Sequence, residues 1–281
     1  MARRDQFVTV DGLELHYSEW GAAEDPTVLC LHGLSRVGRD FDPLARVLEE
    51  AYHVVCPDMP GRGWSQWVDD PGQAYTDAAM VERLVAFVTD LHLAPLRIVG
   101  TSMGGGLGMA LAGGPIADHV THLVVNDISP DPESEAVPAA MERIYEYVPT
   151  PPTVDTLAEL AAYYRNLYEG RFSEMTDEEW RRLTVTSARR TGDGRIAPAY
   201  DPNILVEGDD PDAPDPWNVW TSIEADLMVV RGEDSDVLPP EPFERMQETQ
   251  PDAEALLVDC GHAPVLNVPE QIEPIRTFLA E

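Results

Sequence analysis

Leu96-Arg-Ile-Val-Gly-Thr-Ser-Met-Gly-Gly-Gly106 decides the fold. An apolar, β-branched run (Ile98, Val99) stops at Gly100; Ser102 and Met103 follow, then three glycines and an Ala/Leu/Met-rich segment that reads as a helix. Gly100-Thr-Ser102-Met-Gly104 has the form G-x-S-x-G in its expected setting, a strand before and a helix after. The glycines answer crowding: a tight strand-to-helix turn strains the central residue, and a Cβ on either flank would strike neighbouring chain. Such a turn projects the Ser102 hydroxyl at a helix N-terminus, where backbone N–H groups face any developing oxyanion.

Outward from this turn the same unit repeats. Thr27-Val-Leu-Cys-Leu31 is a continuous apolar strand of the kind covered on both faces, and it ends in His32-Gly33-Leu34-Ser35-Arg36. Phe41, Leu44 and Leu48 follow at helical spacing, then the strand His53-Val-Val-Cys56 running into Pro57-Asp-Met-Pro-Gly-Arg-Gly-Trp-Ser65, then an amphipathic helix over 77–92. Residues 7–20 alternate apolar and polar across Asp11-Gly12, a β-hairpin pattern. Beyond the serine turn, His122-Leu-Val-Val125 opens another strand ending near Asn126-Asp127.

From about 131 to 220 the alternation stops. Helical periods run over 138–147, 155–168 and 176–190, and Asp209-Asp-Pro-Asp-Ala-Pro-Asp-Pro216 reads as an acidic linker. Residues 131–220 are therefore expected to be a helical insertion, with 1–130 and 221–281 forming one α/β core. Leu227-Met-Val-Val230 resumes the buried-strand pattern and ends at Arg231-Gly-Glu-Asp-Ser-Asp236; a helix near 241–249, the strand Ala255–Asp259, Cys260-Gly261-His262 and a helix over 270–280 complete the chain. Chemistry-capable residues thus stand directly after successive parallel-type strands, the edge at which open α/β sheets bind ligands. Ser102, an acid at 234 or 236, and His262 come in the order Ser…Asp…His.

Taken in order, His32-Gly33, Asp58-Met-Pro-Gly61-Arg-Gly63-Trp-Ser65, Gly100-Thr-Ser102-Met-Gly104, Gly232-Glu-Asp-Ser-Asp236 and Gly261-His262 resemble the α/β-hydrolase fold superfamily over essentially the whole chain, most closely its carboxylesterase-like branch with a helical cap after strand six. The resemblance implies a mostly parallel eight-stranded sheet with the second strand antiparallel, helices on both faces, and a pocket between sheet and cap. It implies Ser102 as nucleophile, His262 as base and the backbone N–H groups of Leu34 and Met103 as oxyanion hole. For the acid, a proline commonly falls four residues beyond it in the family, as Pro240 does from Asp236; Asp236 is thus expected inward and Asp234 solvated, with Asp127 as the fallback. The implied reaction is cleavage of a carboxylic ester through an acyl-enzyme. Lactone or C–C bond hydrolysis, which uses the same three residues, is the alternative, and a non-catalytic ligand-binding relative is the alternative of another class. Ala263-Pro264 after the histidine weakens the C–C reading, because the C–C hydrolases usually carry a tryptophan there. Tyr145, Tyr147, Tyr163, Tyr164, Phe172 and Trp180 offer aromatic surface for an apolar substrate moiety.

Other histidines (His16, His53, His92, His119, His122) read as strand or surface residues, and His32 as a loop-orienting one. Arg36, Arg39 and Arg62 read first as scaffolding and second as groups that could steer an anionic substrate. No metal-binding spacing occurs and Gly104–Gly106 lacks the lysine of a phosphate loop, so neither a metal nor a cofactor is expected. The N-terminus has no apolar signal-peptide core, no run is long enough to cross a membrane, and Cys30, Cys56 and Cys260 form no paired motif; a reduced, cytoplasmic protein is expected.

Composition supplies one further expectation. Fifty-one acidic residues face nineteen arginines and no lysine, a net charge of −32 that opposes nucleic acid or anionic membranes as partners. Residues 131–217 carry nineteen acids against eight arginines, a density close to that of the rest, so the charge is a solvation trait of the whole surface. At low salt its self-repulsion opposes folding, whereas molar salt shortens the Debye length to about 3 Å. A halophilic protein is expected, with melting temperature and activity rising toward molar KCl. Equal stability in dilute buffer and in molar KCl, with sucrose as the control for general exclusion, would defeat this expectation.

Overall fold

The computed structural model describes residues 3–130, 138–206 and 214–281. Its strands are β1 (Arg4–Val10), β2 (Leu13–Trp20), β3 (Thr27–Leu31), β4 (His53–Pro57), β5 (Leu96–Thr101), β6 (Val120–Asn126), β7 (Ala188–Arg190), β8 (Ile196–Pro198), β9 (Asp226–Gly232) and β10 (Glu254–Val258). Eight of them form one sheet in the order β1-β2-β4-β3-β5-β6-β9-β10. β1 and β2 are antiparallel across Asp11-Gly12, both at positive φ, and β2 pairs antiparallel with β4; the other pairings in the sheet are parallel.

Side-chain alternation explains why the central strands carry apolar residues on both faces. Leu29 and Leu31 of β3, Ile98 of β5 and Leu123 and Val125 of β6 pack with Met80, Leu84 and Phe87 of helix Asp77–Asp90 and with Leu107 and Leu111 of helix Met103–Ala112. Val28, Cys30, Val54, Cys56, Val99, Val124 and Val230 face the other way, onto helices Asp42–Leu48 and Pro269–Phe278. Each fully buried aliphatic side chain contributes about 1.5–3 kcal/mol, so a polar residue on either face would be costly. All three cysteines are free and buried in this framework.

β3 lies between β4 and β5, so the chain leaves β3 toward one side of the sheet and the next unit returns on the other. At that reversal the loops after β3 and β5 diverge and leave a crevice at the carboxyl edge. The loop after β4 closes one flank. The buried Asp58 carboxylate organises it, accepting from Gly38 N–H (2.7 Å), Trp64 N–H (3.0 Å) and His16 Nδ1 (2.7 Å). Gly63 sits at φ +55° where a Cβ would come within 2.0 Å of that carboxylate, so only glycine fits.

The segment between β6 and β9 supplies helices Pro138–Tyr147, Leu157–Tyr168 and Asp177–Thr186, the latter two opened by capping boxes at Thr156/Glu159 and Thr176/Glu179. The helical period expected over 176–190 is only partly correct: the helix stops at Thr186, and residues 188–190 form β7, antiparallel to β8. Of the acidic linker, residues 209–213 lie outside the described residues, and Asp215 caps helix Pro216–Thr221 by accepting from Trp217 and Asn218 N–H. Leu160, Tyr164, Trp180 and Leu183 give this segment its own apolar cluster. It is tied to the loops of the sheet by Gly63 N–H to Ala199 O (2.7 Å), Asp201 N–H to Gly61 O (2.8 Å) and Val265 N–H to Ser173 Oγ (2.7 Å). Among the described residues no helix is long and apolar enough to cross a membrane.

Candidate active site

Ser102 stands between β5 and helix Met103–Ala112 at φ +53°, ψ −122°. The surroundings force this. A Cβ on Gly104 would lie 2.0 Å from Leu31 O, and one on Gly100 would lie 2.2 Å from Gly104 O. Close approach of helix and strand therefore needs glycine on both flanks, and the serine between them takes up the strain. Its hydroxyl lies 3.0 Å from His262 Nε2, and His262 Nδ1 lies 2.9 Å from Asp127 Oδ2.

Asp127 replaces Asp236 as the acid expected on His262. It follows β6 at φ +63°, fully buried, and its backbone N–H donates to Val230 O at 2.8 Å. Its second oxygen accepts from Gly232 N–H at 2.9 Å, which leaves Oδ2 aimed at the imidazole. Asp236 goes elsewhere because the turn after β9 closes on Ser235, whose hydroxyl accepts from Val237 N–H (3.2 Å) and Leu238 N–H (3.0 Å). With Ser235 inward, Asp236 faces Arg143 of helix Pro138–Tyr147, which binds it with both terminal guanidinium nitrogens, and Arg171 at 3.7 Å. Burial alone would raise the Asp236 carboxyl; the Arg143 hydrogen bond and charge outweigh it and hold the group below the usual carboxylate range. Asp234 is exposed, as expected.

Leu34 follows His32-Gly33 and lines the pocket; Met103 opens the helix, so its N–H is one of the first-turn donors without an intrahelical acceptor. His32 has the loop-orienting place expected of it. Its Nδ1–H donates to Gly33 O (2.7 Å) and its Nε2 accepts from Met59 N–H (3.0 Å), which ties the loops after β3 and β4 together. Burial lowers its pKa to about 4, so the ring is neutral, as two such bonds require. Arg62 is fully buried, with no carboxylate on its guanidinium among the described residues: Nε donates to Leu34 O (2.9 Å), Nη1 to Pro60 O (2.7 Å), and Nη2 approaches Met103 Sδ (3.7 Å). Burial brings its pKa down to about 10, still charged at neutral pH. Arg36 and Arg39 are scaffolding, each held by a carboxylate within its own turn, Asp40 and Asp42.

The pocket above Ser102 is lined by the 32–36 loop, His262 to Val265, and Arg143, Ile144, Tyr147, Leu167, Tyr168, Arg171, Phe172 and Leu183 from the segment between β6 and β9. Tyr147 and Tyr168 hydroxyls lie 3.1 and 3.4 Å from Ser35 Oγ and join the insertion to the loop beside Leu34. Of the aromatic residues singled out from the sequence, Tyr147 and Phe172 reach the pocket. Trp180 and Tyr164 are buried in the insertion's own cluster, and Tyr145 is exposed. Tyr168, Arg143 and Arg171 were not anticipated; helical periodicity marks an apolar face without saying what that face covers. Among the described residues no group of three His, Cys, Asp or Glu side chains is placed to hold a metal ion.

Chemically, the arrangement can draw a proton from a hydroxyl onto an imidazole whose other nitrogen is braced by a buried carboxylate. A family model described as "Alpha/beta hydrolase family" matches residues 28–274. The chain is 36% identical to a protein of Cupriavidus necator named 3-hydroxybutyrate-oligomer hydrolase, over 95% of this chain and 93% of that one. It also superposes on the crystal structure of an alpha/beta hydrolase from Novosphingobium aromaticivorans with a TM-score of 0.88 and 32% identity, covering 100% of this chain and 99% of the other.

Proposed function

This chain belongs to the alpha/beta hydrolase family, and on that premise we propose that it hydrolyses carboxylic esters, its substrates being linear oligoesters of short hydroxy acids. One observation carries the reading: the unbroken hydrogen-bonded series from Ser102 Oγ through His262 to Asp127 at the floor of the pocket. In this mechanism Ser102 Oγ attacks the ester carbonyl as His262 Nε2 takes its proton. The oxyanion is received by the N–H groups of Leu34 and Met103, and His262 returns the proton to the departing alcohol. Water then repeats the cycle on the acyl-enzyme. Asp127 holds the productive tautomer and offsets the imidazolium charge. The Arg62 guanidinium, bound to Leu34 O, fixes the loop that carries the first oxyanion donor and adds a positive charge near it.

The hydroxy-acid class is supported by the near full-length likeness to the 3-hydroxybutyrate-oligomer hydrolase and by a pocket that mixes apolar rings with arginines. In this reading residues 131–220 serve as the cap and residues 1–130 with 221–281 as the core. The acidic, lysine-free surface supports a salt-rich cytoplasm as the working place. The test is turnover in molar KCl of the 3-hydroxybutyrate dimer and trimer, beside p-nitrophenyl butyrate and a γ-lactone. Release of 3-hydroxybutyrate at a kcat/KM at least tenfold above that for the lactone is expected. Lactone cleavage without oligoester cleavage would overturn the linear-ester assignment.

A further inference from the structure

In a protein with net charge −32, the pocket that holds Ser102 and His262 is walled by three arginines, Arg36, Arg143 and Arg171. Arg36 is paired through Nε and Nη2, which give two hydrogen bonds to Asp40 (2.7 and 2.8 Å) and one to Ser187 Oγ (2.9 Å), and its buried Nη1 has no partner among the described residues. Arg143 and Arg171 differ, because both turn toward one carboxylate, Asp236. Among the described residues these two guanidiniums face a single acid, which leaves one positive charge in excess on a wall shared with the candidate nucleophile. The side chain of Arg171 is 43% exposed and its ion pair with Asp236 is a long 3.7 Å, so among the described residues its donors remain open to a second acceptor.

Excess positive charge there runs against the field of the rest of the molecule, which repels anions. The flanking groups do not cancel it: His262 is committed to Ser102 and Asp127, and Asp40 to Arg36. A guanidinium presents paired donors that match a carboxylate, whereas neutral ester or alcohol oxygens gain less from it.

We propose that Arg143 and Arg171 bind a free carboxylate of the substrate, so that the ester cleaved belongs to an anionic molecule with its acid group held on the arginine wall while its ester carbonyl reaches Ser102. Asp236 competes for the same guanidiniums and sets how strongly they hold the substrate. This deepens the ester-hydrolase reading and rests on it. The class is an oligoester or half-ester ending in a carboxylic acid; neutral esters of equal length are poorer substrates.

The experiment compares kcat/KM for the 3-hydroxybutyrate dimer with that for its terminal amide, at one fixed salt concentration. Wild type should favour the acid. Arg171→Gln, at a half-exposed position where folding is not at stake, should lower the acid-to-amide ratio by about 10- to 100-fold through KM, the range of one lost charged hydrogen bond. Arg143→Gln should act in the same direction, and Asp236→Asn should raise the ratio several-fold by removing the competitor. A ratio unchanged within twofold in both arginine variants overturns the proposal. If neither compound is hydrolysed, the ester reading fails, and glutarate decides the carboxylate site without turnover. A rise in melting temperature with glutarate that Arg171→Gln abolishes supports the site, and no rise overturns it.

Discussion

Asp127→Asn should leave the protein folded and lower kcat for ester hydrolysis by on the order of 10⁴. The carboxylate has two donors to satisfy, Gly232 N–H at 2.9 Å and His262 Nδ1–H at 2.9 Å, and it is sealed from solvent. An amide has one acceptor oxygen. If that oxygen stays on Gly232, the NH₂ faces Nδ1 and drives the imidazole proton to Nε2, where it can no longer accept from Ser102. If the amide flips, Gly232 N–H loses its acceptor and the imidazolium still lacks a compensating charge. The same substitution at Asp236, which binds Arg143 and Arg171, should change turnover of p-nitrophenyl butyrate by less than about tenfold. Steady-state kinetics on both variants, with circular dichroism as the folding control, separates the two sites. A crippled Asp236→Asn beside an active Asp127→Asn would return the acid to the turn after β9.

Ser102→Ala should remove at least about a thousand-fold of kcat, and an organophosphonate should transfer its phosphonyl group to the wild type, with loss of its leaving group, and not to the variant. Alanine keeps the Cβ and the strained φ of +53° while deleting the oxygen 3.0 Å from His262 Nε2, so packing changes little and the attacking atom is lost. Residual activity should come from substrate binding and the oxyanion donors alone. Near-wild-type turnover in this variant, or no covalent adduct on the wild type, would defeat the nucleophile assignment and favour a binding protein built on the same fold.

Much of this molecule is written in short stretches of its sequence, because the forces that decide them are local. Gly100 reports a turn so tight that a Cβ would come within 2.2 Å of Gly104 O, a steric demand set within five consecutive residues, and Gly104 marks where the helix start presses on β3, a Cβ there lying 2.0 Å from Leu31 O. The apolar runs of β3, β4 and β5 (residues 28–31, 54–56 and 98–99) require cover on both faces, which the helices before and after each strand supply. His262 was legible as well, since the strand pattern ends three residues before it and the chain order constrains which histidine can return to the serine.

The identity of the acid was not local. Asp127 and Asp236 both follow parallel strands at one edge of the sheet, and the chain order Ser…Asp…His admits either. Tertiary structure decides between them through two small events: the Ser235 hydroxyl turns inward to cap Val237 and Leu238, and Gly232 N–H claims one oxygen of Asp127 so that the other meets His262. The pocket wall was decided in the same way. Helical spacing identified apolar faces at Tyr164 and Trp180, but these close on each other within the insertion, while Tyr168, Arg143 and Arg171 reach the cavity. Sequence by itself therefore determined the sheet, the strained serine and the histidine, where excluded volume and burial act over a few residues. Only the folded chain decided which carboxylate and which cationic side chains share the space above Ser102, because those contacts join residues more than twenty positions apart whose orientation depends on how separate elements dock.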